Sequence, residues 1–230
     1  MEKQVSVNKI PRPYTLLVIL VLLVFCFLFL LTDNTYYRFA SSIFPVIDNS
    51  SWLATLWGLF SRLHLLLIII PLVVWRPRLF GFQIGKIYRH WRTLLVFLIL
   101  NCGIVAAYFL ITGSSSPYSG NQWFFSEVVT VPIVEEIFWR GLVFAALLAI
   151  FRRMYDENAS AHLSVWSSGV AFGLLHAGNA LAGVPLAFVA IQTLSAVIWG
   201  VLYGYARAKT DSIYPAMFLH AAMNLVVVLF

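Results

Sequence analysis

The sequence predicts an all-helical protein that crosses a membrane about seven times, and three observations lead there. Hydrophobic residues make up 61% of the 230 positions and charged residues 10%, against about 25% charged in an ordinary soluble domain. Apolar segments recur at about 14–32, 53–75, 93–112, 126–150, 162–178, 183–206 and 212–230. Each is close to the ~20 residues with which a helix spans ~30 Å of hydrocarbon. The basic residues are distributed unevenly about these segments. With the N-terminus in the cytoplasm, the inner side holds Lys3, Lys9, Arg12, Arg76, Arg78, Lys86, Arg89, Arg92, Arg152, Arg153, Arg207 and Lys209, and the outer loops hold Arg38. This is the asymmetry of the positive-inside rule. It explains the net charge of +6 without nucleic acid as a partner.

Lys3, Lys9 and Arg12 precede the first apolar run. The run is long for a signal peptide and no small-x-small site precedes Asp33, so a retained first transmembrane helix is expected. Arg62 and His64 fall in the second segment, where Arg62 snorkels or pairs with a carboxylate. The stretch Arg78–Arg92, RLFGFQIGKIYRHWR, reads as a connector along the inner membrane surface. Thr112–Gln122 is a Gly- and Ser-rich outer loop. Pro132, one turn before Glu135, is expected to kink the fourth helix. Gly200-x-x-x-Gly204 is a helix-packing spacing. Cys26 and Cys102 lie in apolar runs without metal-ligand spacing and read as apolar filler. The spans use nearly all of residues 1–230, which are therefore expected to form a single transmembrane domain in a cell (inner or plasma) membrane, with the C-terminus outside.

The polar residues that break this pattern gather in the last hundred positions. The fourth segment runs Val-Pro-Ile-Val-Glu-Glu-Ile-Phe-Trp-Arg, with Glu135, Glu136 and Arg140; the fifth carries Phe172 and His176; the seventh carries His220 and Asn224. A charge near the bilayer centre costs roughly 3 kcal/mol, and such residues usually face a protein interior. Glu136–Arg140, Phe172–His176 and His220–Asn224 are each i, i+4 pairs on one helix face. Arg140 is thus placed to neutralise Glu136, and Glu135, about 100° round the axis, faces another partner. A buried carboxylate and an imidazole can share the activation of water. A second histidine with an amide donor suits an oxyanion.

The order Glu-Glu-x-x-x-Arg, Phe-x-x-x-His, His-x-x-x-Asn on separate helices resembles the CaaX-processing and bacteriocin-processing (CPBP, or Abi) family of intramembrane proteases. The resemblance covers roughly residues 124–230, the expected catalytic core; the first three spans carry no matching motif. It implies an endopeptidase whose active site lies in a membrane-embedded cavity, with Glu135 and His176 activating water and His220 and Asn224 stabilising the oxyanion. Glu136, Arg140 and Phe172 support the site. The expected substrates are membrane-associated or lipidated: prenylated C-terminal tails, leader-bearing peptides, or C-terminal membrane-sorting tails. No cofactor is favoured. A zinc-dependent alternative would use Glu135, His176 and His220, since catalytic zinc takes three protein ligands and a water, but the usual His-Glu-x-x-His is missing from the sequence.

Two other classes fit the polar cluster less well. A non-catalytic immunity or scaffold protein would have no need for three intact motifs, and a proton-coupled transporter is disfavoured because no internal repeat is evident. Counting helix rise from the inner ends puts Glu135 ~25 Å, His176 ~21 Å, His220 ~14 Å and Asn224 ~20 Å above the inner boundary. The site is therefore expected at or above the midplane.

Overall fold

A computed structural model describes residues 73–116, 124–182 and 186–230, with isolated positions between 21 and 71. Every regular element among the described residues is helical. The spans expected at 14–32 and 53–75, with Cys26, Arg62 and His64, lie wholly or largely outside the described residues, as do Lys3, Lys9, Arg12, Arg38 and the loop past Ser116. Helix α1 is Ile87–Thr112. One continuous helical run covers Phe124–Phe151 and changes its winding along the way. A π segment (Phe124–Thr130) is followed by α2 (Val131–Glu136), a second π segment (Ile137–Val143) and α3 (Phe144–Phe151). Then come α4 (Glu157–His176), a 3-10 segment (Ala177–Ala182), α5 (Leu186–Thr210) and α6 (Tyr214–Leu229). Among the described residues, Ile87–Thr112 and Val189–Thr210 are long and apolar enough to cross a membrane, and Tyr214–Leu229 is apolar but shorter.

Two helices begin earlier than their apolar runs suggest. Helix α4 starts at Glu157, not 162, because Asp156 is its N-cap: the backbone is extended there (φ −65°, ψ 171°) and the carboxylate accepts from Ala159 N at 2.9 Å. Such a cap satisfies one of the free N–H groups of the first turn, and Arg152 pairs with Glu157 across the same turn. Helix α1 starts at Ile87, not 93, and so takes in Arg89 and Arg92, whose long side chains suit the polar edge of a span. It stops at Gly113, which is left-handed (φ 64°) and donates its N–H to Phe109 O, a common helix ending.

The connector before α1 is anchored to the rest of the protein. It folds across the junction between α5 and α6. Lys86 N donates to Thr210 O at 2.7 Å, Ile213 N to Gly81 O at 3.0 Å, and the Gln83 amide to Asp211 O at 3.0 Å. Lys86 also pairs with Asp211 at 2.7 Å. Gly81 is required here, with φ +81° and a virtual Cβ only 2.6 Å from Arg207 Nε. Arg207, expected in an inner loop, is instead buried within α5 and donates to Arg140 O and Leu79 O, each at 3.2 Å. Pro132 has no N–H to give the ladder. The helix accommodates it near the start of α2, just after π turns, so the disturbance expected at this proline takes the form of altered winding. Such π turns occur frequently at functional sites.

Helices α4 and α5 pack antiparallel with their backbones in contact. A Cβ on Gly169 would lie 2.7 Å from Val201 N, and one on Gly173 would lie 2.7 Å from Val197 N and 2.9 Å from Thr193 O. Gly200 faces Gly169 and Gly204 faces Val165, as the Gly-x-x-x-Gly spacing predicts. On the same helix the buried hydroxyls of Ser164 and Ser168 donate to the carbonyls one turn earlier, at 2.7 and 2.6 Å, so their polarity is satisfied locally. Gly173→Val is expected to force these backbones apart. Overpacking of this kind costs about 1–3 kcal/mol, measurable as a lower unfolding temperature in detergent, whereas Gly103→Val on α1, where nothing among the described residues lies within 4 Å of the added Cβ, should change little.

Candidate active site

The site is built where α2 and the second π segment meet α4, α5 and α6. Glu136 ends α2 and is fully buried, as is Arg140 in the π segment that follows. Arg140 Nη1 donates to Glu136 Oε1 at 3.1 Å and Nη2 donates to Gly200 O on α5 at 2.9 Å. The absence of a side chain at Gly200 leaves its carbonyl within reach. The guanidinium also lies 4.7 Å from the Phe172 ring centre and 5.4 Å from that of Tyr203. A buried charge is tolerated when it is paired and hydrogen-bonded, and the two ring faces add cation–π attraction.

Glu136 has a second partner that helix periodicity does not show. His220 Nδ1 lies 2.9 Å from the same oxygen, Glu136 Oε1. The carboxylate therefore joins the first motif to the third. A carboxylate oxygen accepts, so Nδ1 carries a proton and Nε2 is the nitrogen left for other contacts. The imidazole is buried and stacks on Tyr203, with ring centroids 5.4 Å apart and an interplanar angle of 26°.

His176 is the last residue of α4 and is half-buried. Its Nδ1 lies 2.9 Å from Phe172 O. A carbonyl can only accept, so Nδ1–H donates and the Nε2 lone pair of the neutral ring is an acceptor. Phe172 packs edge-on against both histidines, at 4.9 Å from His176 and 6.2 Å from His220, and Trp139 buttresses it at 5.7 Å. Phe172 is thus in contact with both imidazoles.

Asn224 lies one turn after His220, and its amide donates to Glu127 O at 2.7 Å. An amide has two N–H bonds, so one remains for a ligand. Glu135 is 7% exposed, and among the described residues it has no hydrogen-bond or ion-pair partner. Its freedom contrasts with the two partners of Glu136. Among the residues singled out by sequence, Glu136, Arg140, Phe172 and His220 thus form one contact network. His176 joins it through the Phe172 ring, and Asn224 is held on Glu127.

Sequence reasoning missed Tyr203, Asn101 and the Gly200 carbonyl. Asn101 is fully buried on α1 and accepts from Tyr203 Oη at 3.2 Å; a lone amide in the middle of an apolar run was the available signal. Among the described residues, no three of His, Cys, Asp and Glu gather into a group that could hold a metal ion. The set Glu135, His176 and His220 is therefore not assembled as a ligand cluster in this geometry.

No curated protein and no solved structure matches the chain. Residues 119–226 match the family model described as Rce1-like, Type II CAAX prenyl endopeptidase Rce1-like. The match contains the Glu135–Arg140, Phe172–His176 and His220–Asn224 pairs and Tyr203, and it leaves out α1 with Asn101. The C-terminal part of the chain, with all three motif pairs, therefore matches the CPBP family of CAAX proteases.

Proposed function

We propose that the protein is an intramembrane endopeptidase in which Glu135 and His176 activate a water molecule and His220 and Asn224 stabilise the oxyanion. The observation that supports this reading best is the different anchoring of the two histidines. His176 gives Nδ1–H to a carbonyl, which leaves a basic Nε2 suited to drawing a proton from water. His220 gives Nδ1–H to a carboxylate, so its Nε2 donates to an oxyanion when the ring carries both protons. In that form Glu136, Arg140 and His220 together hold one net positive charge, which matches the single negative charge of a tetrahedral intermediate. Asn224 supplies the neutral donor beside it. Glu135, with no partner among the described residues, is the carboxylate free to hold the water.

The cycle then runs in three steps. Water on Glu135 attacks the scissile carbonyl as its proton passes to the Glu135–His176 pair. The oxyanion is held by His220 and Asn224. The proton is returned to the leaving amine. The family description favours a prenylated C-terminal tail as the first substrate to test.

The level of the site supports cleavage at or above the midplane. Gly200, which Arg140 contacts, stands ~15 Å of helix rise above Thr210, where Lys86 and Asp211 pair. That end of α5, with Arg207 and Lys209, lies beside the start of α4, and we assign it to the cytoplasm by the positive-inside rule. Cysteines placed beside the site should react with a membrane-impermeant thiol reagent from the outer side; reaction confined to the cytoplasmic side would overturn the assignment.

The proposed chemistry is tested with purified protein in lipid and a membrane-anchored, farnesylated reporter peptide. His176→Ala is expected to lower kcat by ~10²-fold or more, the lower end of what a general base supplies. A strong zinc chelator should leave wild-type cleavage unchanged. Loss on chelation with recovery on added zinc would instead make Glu135, His176 and His220 metal ligands in the working enzyme.

A further inference from the structure

Asn101 sits in the middle of α1, whose neighbouring Val96, Ile99 and Ile104 are exposed and apolar, and yet it is fully buried. A buried amide is costly unless it is hydrogen-bonded, and Asn101 uses both ends. Its Nδ2–H donates to Leu219 O at 2.6 Å, and its Oδ1 accepts from the Tyr203 hydroxyl at 3.2 Å. Leu219 immediately precedes His220 in α6, and the Tyr203 ring stacks on the His220 imidazole. One side chain thus grips the backbone next to His220 and, through Tyr203, the face of its ring.

We propose that Asn101 and Tyr203 are positioning residues that fix the plane of the His220 imidazole, so that α1, outside the matched segment, completes the active site. The hydrogen bond to Glu136 fixes Nδ1 alone and leaves the ring free to tilt about that contact. A ring stacked on its face removes the tilt and sets the direction of Nε2. Tyr203 serves this purpose because its own orientation is fixed by the Asn101 amide. The assignment rests on the reading of His220 as an oxyanion donor, where direction matters: a 1 Å misplacement can cost ~100-fold.

The test is nitrogen-15 NMR of the histidine rings in lipid nanodiscs, read together with reporter kinetics. His220→Gln identifies the His220 signals by their loss. Tyr203→Phe and Asn101→Leu should each shift or broaden the His220 ring signals and leave those of His176 in place. Each should lower kcat by roughly 10- to 100-fold with KM little changed, and the double variant should lose little more than either alone, as expected of residues acting through one another. Tyr203→Phe removes a single hydroxyl and keeps the ring, so it decides the matter even where Asn101→Leu does not fold. Unchanged His220 signals in Tyr203→Phe, with a lower unfolding temperature as the sole effect, would reduce the pair to helix packing and overturn the proposal. Shifted His220 signals in Tyr203→Phe, together with a wild-type protein that cuts no reporter, would uphold the positioning and count against the peptidase reading.

Discussion

Glu135→Gln is expected to lower kcat for reporter cleavage by 10²- to 10⁴-fold, the range a positioned general base supplies. The substitution preserves shape and removes the proton acceptor. Because Glu135 has no hydrogen-bond or ion-pair partner among the described residues, its unfolding temperature should stay close to that of the wild type. The neighbouring Glu136→Gln should behave differently. Glu136 accepts from both Arg140 and His220, so its neutralisation leaves a buried guanidinium without its counter-charge, and stability falls together with activity. This contrast separates the two adjacent carboxylates: in the proposed mechanism Glu135 carries the chemistry and Glu136 holds the framework. Equal loss of stability in both variants would contradict the assignment.

Arg140→Met should produce the largest loss of stability. Removing one partner of a buried ion pair typically costs about 3–5 kcal/mol, because the remaining charge is stranded. Here the guanidinium also leaves Gly200 O on α5 and the faces of Phe172 and Tyr203. Arg140→Lys should recover part of the loss. Its ammonium can reach Glu136, but it cannot reproduce the planar fork that spans Glu136 and Gly200 together. Denaturant or thermal unfolding in detergent should therefore rank the wild type above Arg140→Lys and Arg140→Lys above Arg140→Met. A Met variant as stable as the wild type would show that Arg140 is dispensable to the packing of the π segment on α5.

The candidate residues were legible because helix periodicity reports which side chains share a face, and three such pairs fell in apolar runs. The connections between helices were not. Glu136 meets His220 and Tyr203 meets Asn101 across 84 and 102 residues of sequence, and those meetings depend on how α2 packs on α6 and α1 on α5. The separate close approach of α4 and α5 comes from Gly169, Gly173, Gly200 and Gly204, of which the spacing of the last two was visible in the sequence. Hydropathy placed the starts of α1 and α4 several residues late, because Arg89 and Arg92 at one and Asp156 at the other are polar residues that belong to helix starts. The Arg78–Arg92 stretch reads as a connector along the inner membrane surface, and its contacts to Thr210, Asp211 and Ile213 were not legible because they are largely made by backbone groups, which leave no pattern in side-chain chemistry.

The most direct measurement of the central claim is a single-turnover cleavage of the membrane-anchored reporter in water enriched in oxygen-18, with mass analysis of both product and protein. Direct attack by water held on Glu135 predicts one heavy oxygen at the new C-terminus of the product, none on the Glu135 carboxylate, and product formation by Glu135→Gln slowed by ~10²-fold or more. Heavy oxygen appearing on Glu135 would mean that the carboxylate itself attacks the peptide. Undiminished cleavage by Glu135→Gln would contradict the account altogether.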